Sequence, residues 1–226
     1  MRKFLITFAF ILTLGCCSNT PELETGEIKT LKLLKQTFVQ PNQSKNFVDA
    51  RNLLNRKQID AANIPILFVE LASGQNGTLT PYPGQGVGQT WLGADGATIT
   101  LEHGVIKASR GMGDDIMGSS TFIPQWSKIN FNTSNYSRKI SYLTGDNKIT
   151  KRSFECKMQK NTQKDVIKIW GLKFVVTKFE ESCDHNGFKI TNTYYVDDKE
   201  IVRKSYQYHN DTTGYITTER LDRYEN

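Results

Sequence analysis

The chain has 226 residues, of which 38% are apolar, 23% charged and 11% aromatic, with 17 glycines and only 6 prolines. That composition excludes a collagen, a disordered tail and a multi-span membrane protein, and a chain this long can bury a core without staples. Lys and Arg number 29 against 23 Asp and Glu, a net of +6 that falls to +4 when Arg2 and Lys3 are set aside.

The first residues read as a secretory leader. Arg2 and Lys3 form a basic start, residues 4–14 (FLITFAFILTL) are apolar, and Gly15, Cys16 and Cys17 follow. The apolar run is shorter than the ~20 residues a membrane-spanning helix needs. A cysteine after such a run resembles the lipobox of bacterial lipoproteins, with Cys16 favoured as the lipidated residue and Cys17 as the alternative. The chain then divides into a lipoprotein signal peptide (1–16), a polar tether (17–27) and a single β-rich periplasmic domain (28–226). Neither Cys17 nor Ser18 is the aspartate that retains such proteins in the inner membrane of enteric bacteria. The expected location is the periplasmic face of the outer membrane, held by several acyl chains. Export argues against nucleic acid as a partner, and the mixed charges read mainly as a solvated surface.

Residues 28–38 show amphipathic helical spacing, and 47–59 suggest a second short helix with Val48, Leu53, Leu54 and Ile59 inward. From Pro65 the texture changes to strands and turns. Residues 66–71 (ILFVEL) form a β-prone run, and Gly74–Gly77 reads as a turn. A Gly/Pro-rich stretch covers 81–88. Strands are expected from Thr90, at 97–101 and at 105–109, separated by the turn 94–97 and by Glu102-His103-Gly104. Residues 110–120 read as a loop or a very short helix. Further strands are expected at 136–143, 149–159, 165–170, 172–180, 188–196, 200–208 and 215–221, with Asn186-Gly187 as a hairpin signature. The sum is a mainly β chain of about ten antiparallel strands. They form a meander closing into a curved sheet or barrel-like body, preceded by short helices.

Catalytic motifs are missing from this pattern: no HExxH, Walker loop, GxSxG or CxxC occurs, and neither cofactor nor metal is expected. His103, His185 and His209 fall at or beside turns, where histidines are ordinarily surface residues. Asp114 and Asp115 could meet a cation but fit a surface loop or cap better. Cys156 and Cys183 lie 27 positions apart in or beside strands, and an oxidising compartment allows them to pair. Aromatic rings can stack on sugars, which makes Trp91, Trp126, Tyr142, Tyr194 and Tyr206 candidate glycan-binding residues. The competing account is that they fill the core.

Several segments together carry a family resemblance. They are Gly15-Cys16, Ile64-Pro65 before the strand at 66–71, and WLGADGATITLEHGVI at 91–106. In the second half they are Ile169-Trp170-Gly171-Leu172, Tyr194-Tyr195-Val196-Asp197, and Val202-Arg203-Lys204-Ser205. In order and spacing these resemble the YjbF/GfcB family, the group 4 capsule polysaccharide lipoproteins. The resemblance implies a lipid-anchored, barrel-like outer-membrane protein without catalytic residues, which assists exopolysaccharide or capsule export. An outer-membrane polysaccharide exporter and the polysaccharide itself are the candidate partners. A glycan- or lipid-binding module is the alternative. A polysaccharide-processing enzyme is the third reading and would need facing carboxylates, for which Glu70, Asp95, Asp114 and Asp115 are candidates.

Overall fold

A computed structural model describes residues 49–84, 88–120, 125–129 and 134–223. The leader, the tether and the helix expected at 28–38 lie outside these residues. The helix expected at 47–59 is split into α1 (Ala50–Leu53) and α2 (Arg56–Ala62). Asn55 explains the split. Its side chain accepts from Gln58 N while Gln58 Oε1 accepts from Asn55 N, a reciprocal cap that starts a new helix.

Twelve strands follow: β1 (Leu67–Leu71), β2 (Asn76–Pro81), β3 (Gln89–Gly93), β4 (Thr98–Glu102), β5 (Val105–Arg110), β6 (Asp115–Ser120), β7 (Ser134–Leu143), β8 (Ile149–Ile169), β9 (Leu172–His185), β10 (Phe188–Val196), β11 (Val202–Asn210) and β12 (Gly214–Arg220). Apart from β5 and β6, strands adjacent in sequence pair antiparallel, and β12 pairs with β1, so the meander runs almost fully round a barrel. Two strands exceed the sequence reading. β2 begins inside the segment expected to be a turn, and β6 occupies the 110–120 segment expected to be a loop or helix. The strands expected at 149–159 and 165–170 are one continuous 21-residue strand.

One neighbouring pair, β5 and β6, lacks a backbone ladder. Side chains take its place. Ser109 Oγ accepts from Ile116 N at 2.9 Å, and Asp115 accepts from Gly111 N and Met112 N. From across the barrel, the Gln207 carboxamide on β11 accepts from Ile106 N at 3.0 Å and donates to Gly104 O at 2.8 Å. One side-chain amide thus supplies the donor and acceptor that a neighbouring strand would have given β5. The approach needs Gly104: its φ is +82°, and a Cβ there would lie 2.3 Å from Val202 Cγ2.

His209, expected at the surface, is instead fully buried in this seam. Its Nε2 lies 2.8 Å from Ser109 Oγ, and its Nδ1 lies 2.6 Å from Asn210 Nδ2. Asn210 is fixed in orientation because its Oδ1 accepts from Thr213 N and its Nδ2 donates to Asp114 O. His209 Nδ1 is therefore the acceptor, and Nε2 carries the proton given to Ser109. An imidazole in that tautomer cannot take a proton from Ser109, so the Ser–His contact fastens the seam and does not activate a nucleophile.

Two predictions follow from this seam. Gln207→Leu leaves two buried backbone groups unpaired, and urea unfolding is expected to show a loss of about 2–5 kcal/mol. Burial holds the His209 imidazole down at about 4, with Asp115 and Asp114 opposing, against ~6.5 in an unfolded chain. The unfolded state takes up the proton first. Stability is then full above pH 6.5 and declines by up to about 3 kcal/mol as pH falls to 4. Urea midpoints across that range are expected to fall in the wild type and to flatten in His209→Gln.

Candidate functional site

Apolar side chains fill most of the barrel. One cluster includes Trp91, Ile99, Ile116, Tyr142, Phe154 and Ile216, and a second includes Trp126, Met158, Phe179 and Tyr194. The alternation of each strand turns these residues inward, as in Cys156 and Met158 of β8 or Phe179 and Cys183 of β9. Cys156 and Cys183 stand directly opposite in the β8–β9 ladder, with Cα atoms 4.0 Å apart and their sulfurs bonded.

A polar layer crosses the same interior. Glu181, 1% exposed, receives Arg138 Nη1 at 2.8 Å, Asn192 Nδ2 at 2.6 Å and the hydroxyls of Tyr136 at 2.6 Å and Tyr194 at 2.9 Å. The layer continues through Gln207 Nε2, which donates to Ser205 Oγ, and on to Thr218, whose hydroxyl is 2.6 Å from that of Ser205. Burial by itself would raise the Glu181 carboxyl. The Arg138 guanidinium and three hydrogen bonds outweigh it and hold the group below its ordinary value. Burial and the Glu181 charge together push the Tyr136 and Tyr194 phenols upward. Cys156, Glu181 and Cys183 lie close enough to suggest a metal site. The sulfurs are spent on each other and the carboxylate on its four donors, so this grouping offers no ligand set.

One opening that could receive a ligand is a cleft of about 380 Å³. It lies at the barrel end formed by the β4–β5 and β10–β11 turns. Trp91, Leu67, Leu101 and Val202 supply apolar walls, while Gln89, Glu102, His103, Glu200 and Arg220 supply polar groups. Arg220 is aimed by two 2.9 Å bonds to Asp222 and stacks 4.9 Å above the Trp91 ring. Trp126 braces the rim. Its Nε1 donates to His103 O at 3.1 Å, and the next residue, Ser127, donates its N–H to Glu200 Oε1. His103 and Glu200 both carry positive φ, of 48° and 63°, which turns the chain sharply at the rim.

Of the five aromatics suggested for glycan stacking, Trp126, Tyr142 and Tyr194 are enclosed in the core, and Trp91, 2% exposed, borders the cleft. Tyr206 is 44% exposed and lies flat against Tyr215 with centroids 4.4 Å apart. The carboxylates weighed for polysaccharide processing are not gathered. Glu70 pairs with Arg51, Asp95 caps Ala97 N in the β3–β4 turn, Asp115 serves the β5–β6 turn, and Asp114 accepts from Gly145 N in the β7–β8 turn and from the Thr212 hydroxyl. The cleft brings together Glu102, Glu200 and Arg220 instead. Sequence reasoning missed them because a turn residue such as Glu200 gains a role only from the turn beside it. Glu102 is bonded to Lys107 at 3.4 Å and Glu200 to Ser127 N, so both acids are engaged by the protein's own donors.

The polar layer makes a test of its own. Glu181→Leu strands a buried guanidinium and is expected to lose about 3–5 kcal/mol in urea unfolding. Adding Arg138→Met is expected to recover part of that loss, giving a double-mutant coupling of about 2 kcal/mol.

Comparison with known proteins places this fold. A crystal structure of a hypothetical lipoprotein, YmcC, from Escherichia coli K12 superposes with a TM-score of 0.66 at 16% identity, covering 82% of this chain and 100% of that one. This likeness concerns the fold. No curated protein sequence matches the chain. The family model described as group 4 capsule polysaccharide lipoprotein gfcB, YjbF matches residues 32–221. The chain therefore belongs to the group 4 capsule polysaccharide lipoproteins, non-enzymatic proteins held by lipid at the periplasmic face of the outer membrane and linked to capsule and exopolysaccharide machinery.

Proposed function

We propose that the protein is an accessory of polysaccharide export, attached to the membrane through Cys16 or Cys17 after removal of a signal peptide, and working beside an outer-membrane exporter. The observation that supports an accessory role is the packed interior. Phe154, Ile116, Tyr194, Gln207 and Ile216 have no exposure and occupy the middle of the barrel. A body filled in this way is not itself a conduit, so its work falls to its surfaces and its end cleft. In a strain lacking the gene, surface and secreted polysaccharide are expected to drop. Wild type restores them, and a Cys16→Ala, Cys17→Ala double variant does not. Unchanged polysaccharide in the deletion strain, under conditions where the parent makes it, overturns the reading.

The cleft favours a second reading, in which the protein holds a short stretch of the glycan. A sugar offers hydroxyls around an apolar ring face. Apolar walls at Leu67, Leu101 and Val202 beside Gln89, Glu102, Glu200 and Arg220 match that mixture. Oligosaccharides from the producing strain's own polysaccharide are expected to bind the purified protein in calorimetry. Arg220→Gln is expected to weaken the binding at least tenfold. Equal binding by the variant would assign the sugar to another surface.

A further inference from the structure

The β8–β9 hairpin outruns the barrel. β7 pairs with β8 only as far as Met158, and β10 pairs with β9 only as far as Thr177. Beyond an irregularity between Lys160 and Lys164, the two strands continue alone, from Lys164↔Thr177 to the turn at Trp170-Gly171. One face of this arm is fixed to the outside of the body. Ile167, Ile169 and Phe174 pack with Ile59, Phe68 and Leu221. Trp170 meets the Phe68 ring edge at 5.8 Å, and Arg203 lies 4.5 Å over Phe174.

Among the described residues nothing covers the other face. It carries Lys173, Val175 and Thr177, the continuation of the alternation that puts Phe179, Glu181 and Cys183 inside the barrel. Past the rim there is no interior for them. Val166 and Val175 stand opposite each other and are 66% and 55% exposed. Beside them Lys168 stands opposite Lys173, and Lys164 lies two residues from Val166. Like charges directly opposite oppose the ladder. Among the described residues none of these three lysines has an acidic partner.

We propose that this hairpin face docks on an anionic phospholipid surface. Two shallow valines framed by three lysines match a headgroup layer, which accepts small apolar side chains and attracts each cation. The position of the face supports that occupant. Ala50 and Ile59 belong to the same cluster as Ile169, so the described chain begins beside the hairpin. From Cys17 to Asp49 the covalent path is about 32 residues, which can span no more than roughly 110 Å. An acyl anchor on that path keeps the hairpin at high effective concentration near the bilayer, where a weak contact is populated. The proposal rests on the lipid anchor and is independent of the exporter and of the cleft.

The test uses the lipidated protein in vesicles of phosphatidylcholine alone or of phosphatidylcholine with a third phosphatidylglycerol. Flotation reports anchoring, and a water-soluble amine-modifying reagent reports lysine access by mass spectrometry. Lys148, 77% exposed in the turn at the opposite end of the barrel, is the internal reference. On anionic vesicles, modification of Lys164, Lys168 and Lys173 is expected to slow at least fivefold relative to Lys148. The slowing should disappear in high salt and on zwitterionic vesicles, and at Lys164 it should disappear in Lys168→Glu, Lys173→Glu. Val166→Ser with Val175→Ser should weaken it severalfold. A chain that floats while its three lysines react as fast as Lys148 overturns the proposal alone. A chain that does not float overturns the anchoring and the proposal together. Slowing by soluble polygalacturonate but not by anionic vesicles overturns it in favour of an acidic polysaccharide.

Discussion

The barrel depends on how the inner edge of β5 is satisfied. Eleven ladders join the twelve strands, and the twelfth junction is left to side chains. A buried strand edge without partners exposes a row of amides and carbonyls to an apolar interior, each costing about 1–3 kcal/mol. Gln207 removes that cost at the centre by presenting one amide to Ile106 N and Gly104 O. Ser109, Asp115, His209 and Asn210 remove it at the turn. Because Gln207, His209 and Asn210 come from β11, the opposite walls are drawn together. Among the described residues, buried side chains fill the body across its width.

The same constraint explains why a charged pair sits in the core. Gln207 is reached by the Tyr194 hydroxyl at 3.3 Å, and Tyr194 also serves Glu181. Once one polar amide occupies the centre, its neighbours must supply matching groups, and the chain of partners ends on Arg138 and Glu181. A buried ion pair of this kind is a weak source of stability, and its desolvation cost is offset only when every oxygen is engaged. Here Glu181 has four donors, so the layer specifies one arrangement of β7, β9, β10 and β11. With its interior committed to structure, a non-catalytic lipoprotein has its surfaces left for function: the end cleft around Arg220 and Trp91, and the hairpin face with Val166 and Val175.

Much of the fold was legible in the residues. The strand expected at 188–196 and the hairpin at Asn186-Gly187 stand as read, because alternation and turn chemistry are local. Local signals misled where tertiary partners decide. Residues 115–120 contain Gly118 and three small or polar neighbours and look like a loop. They form β6 because Ile116 and Ser119 find β7 on one side and the side-chain seam on the other. His209 reads as a surface residue from its place near a turn, yet it is enclosed by partners about 100 positions away in sequence. The cleft was not legible at all. Gln89, Glu102 and Arg220 come from separate strand ends and Glu200 from the β10–β11 turn, and no spacing rule connects them.

The sequence by itself determined the leader-like start, the change from helix to strand near Pro65, the succession of antiparallel strands and the resemblance to the capsule polysaccharide lipoproteins. Those features are written in short windows of hydrophobicity and turn-forming residues, or in their order along the chain. Only the tertiary structure decided that β12 closes on β1, that β5 and β6 do not pair, and that four of the five suggested glycan-stacking aromatics are buried. It also decided that the inward-facing alternation of β9 runs out past the barrel rim into solvent. Each of these depends on which distant strand lies opposite a residue, and a period-two pattern fixes a face without naming the neighbour that covers it.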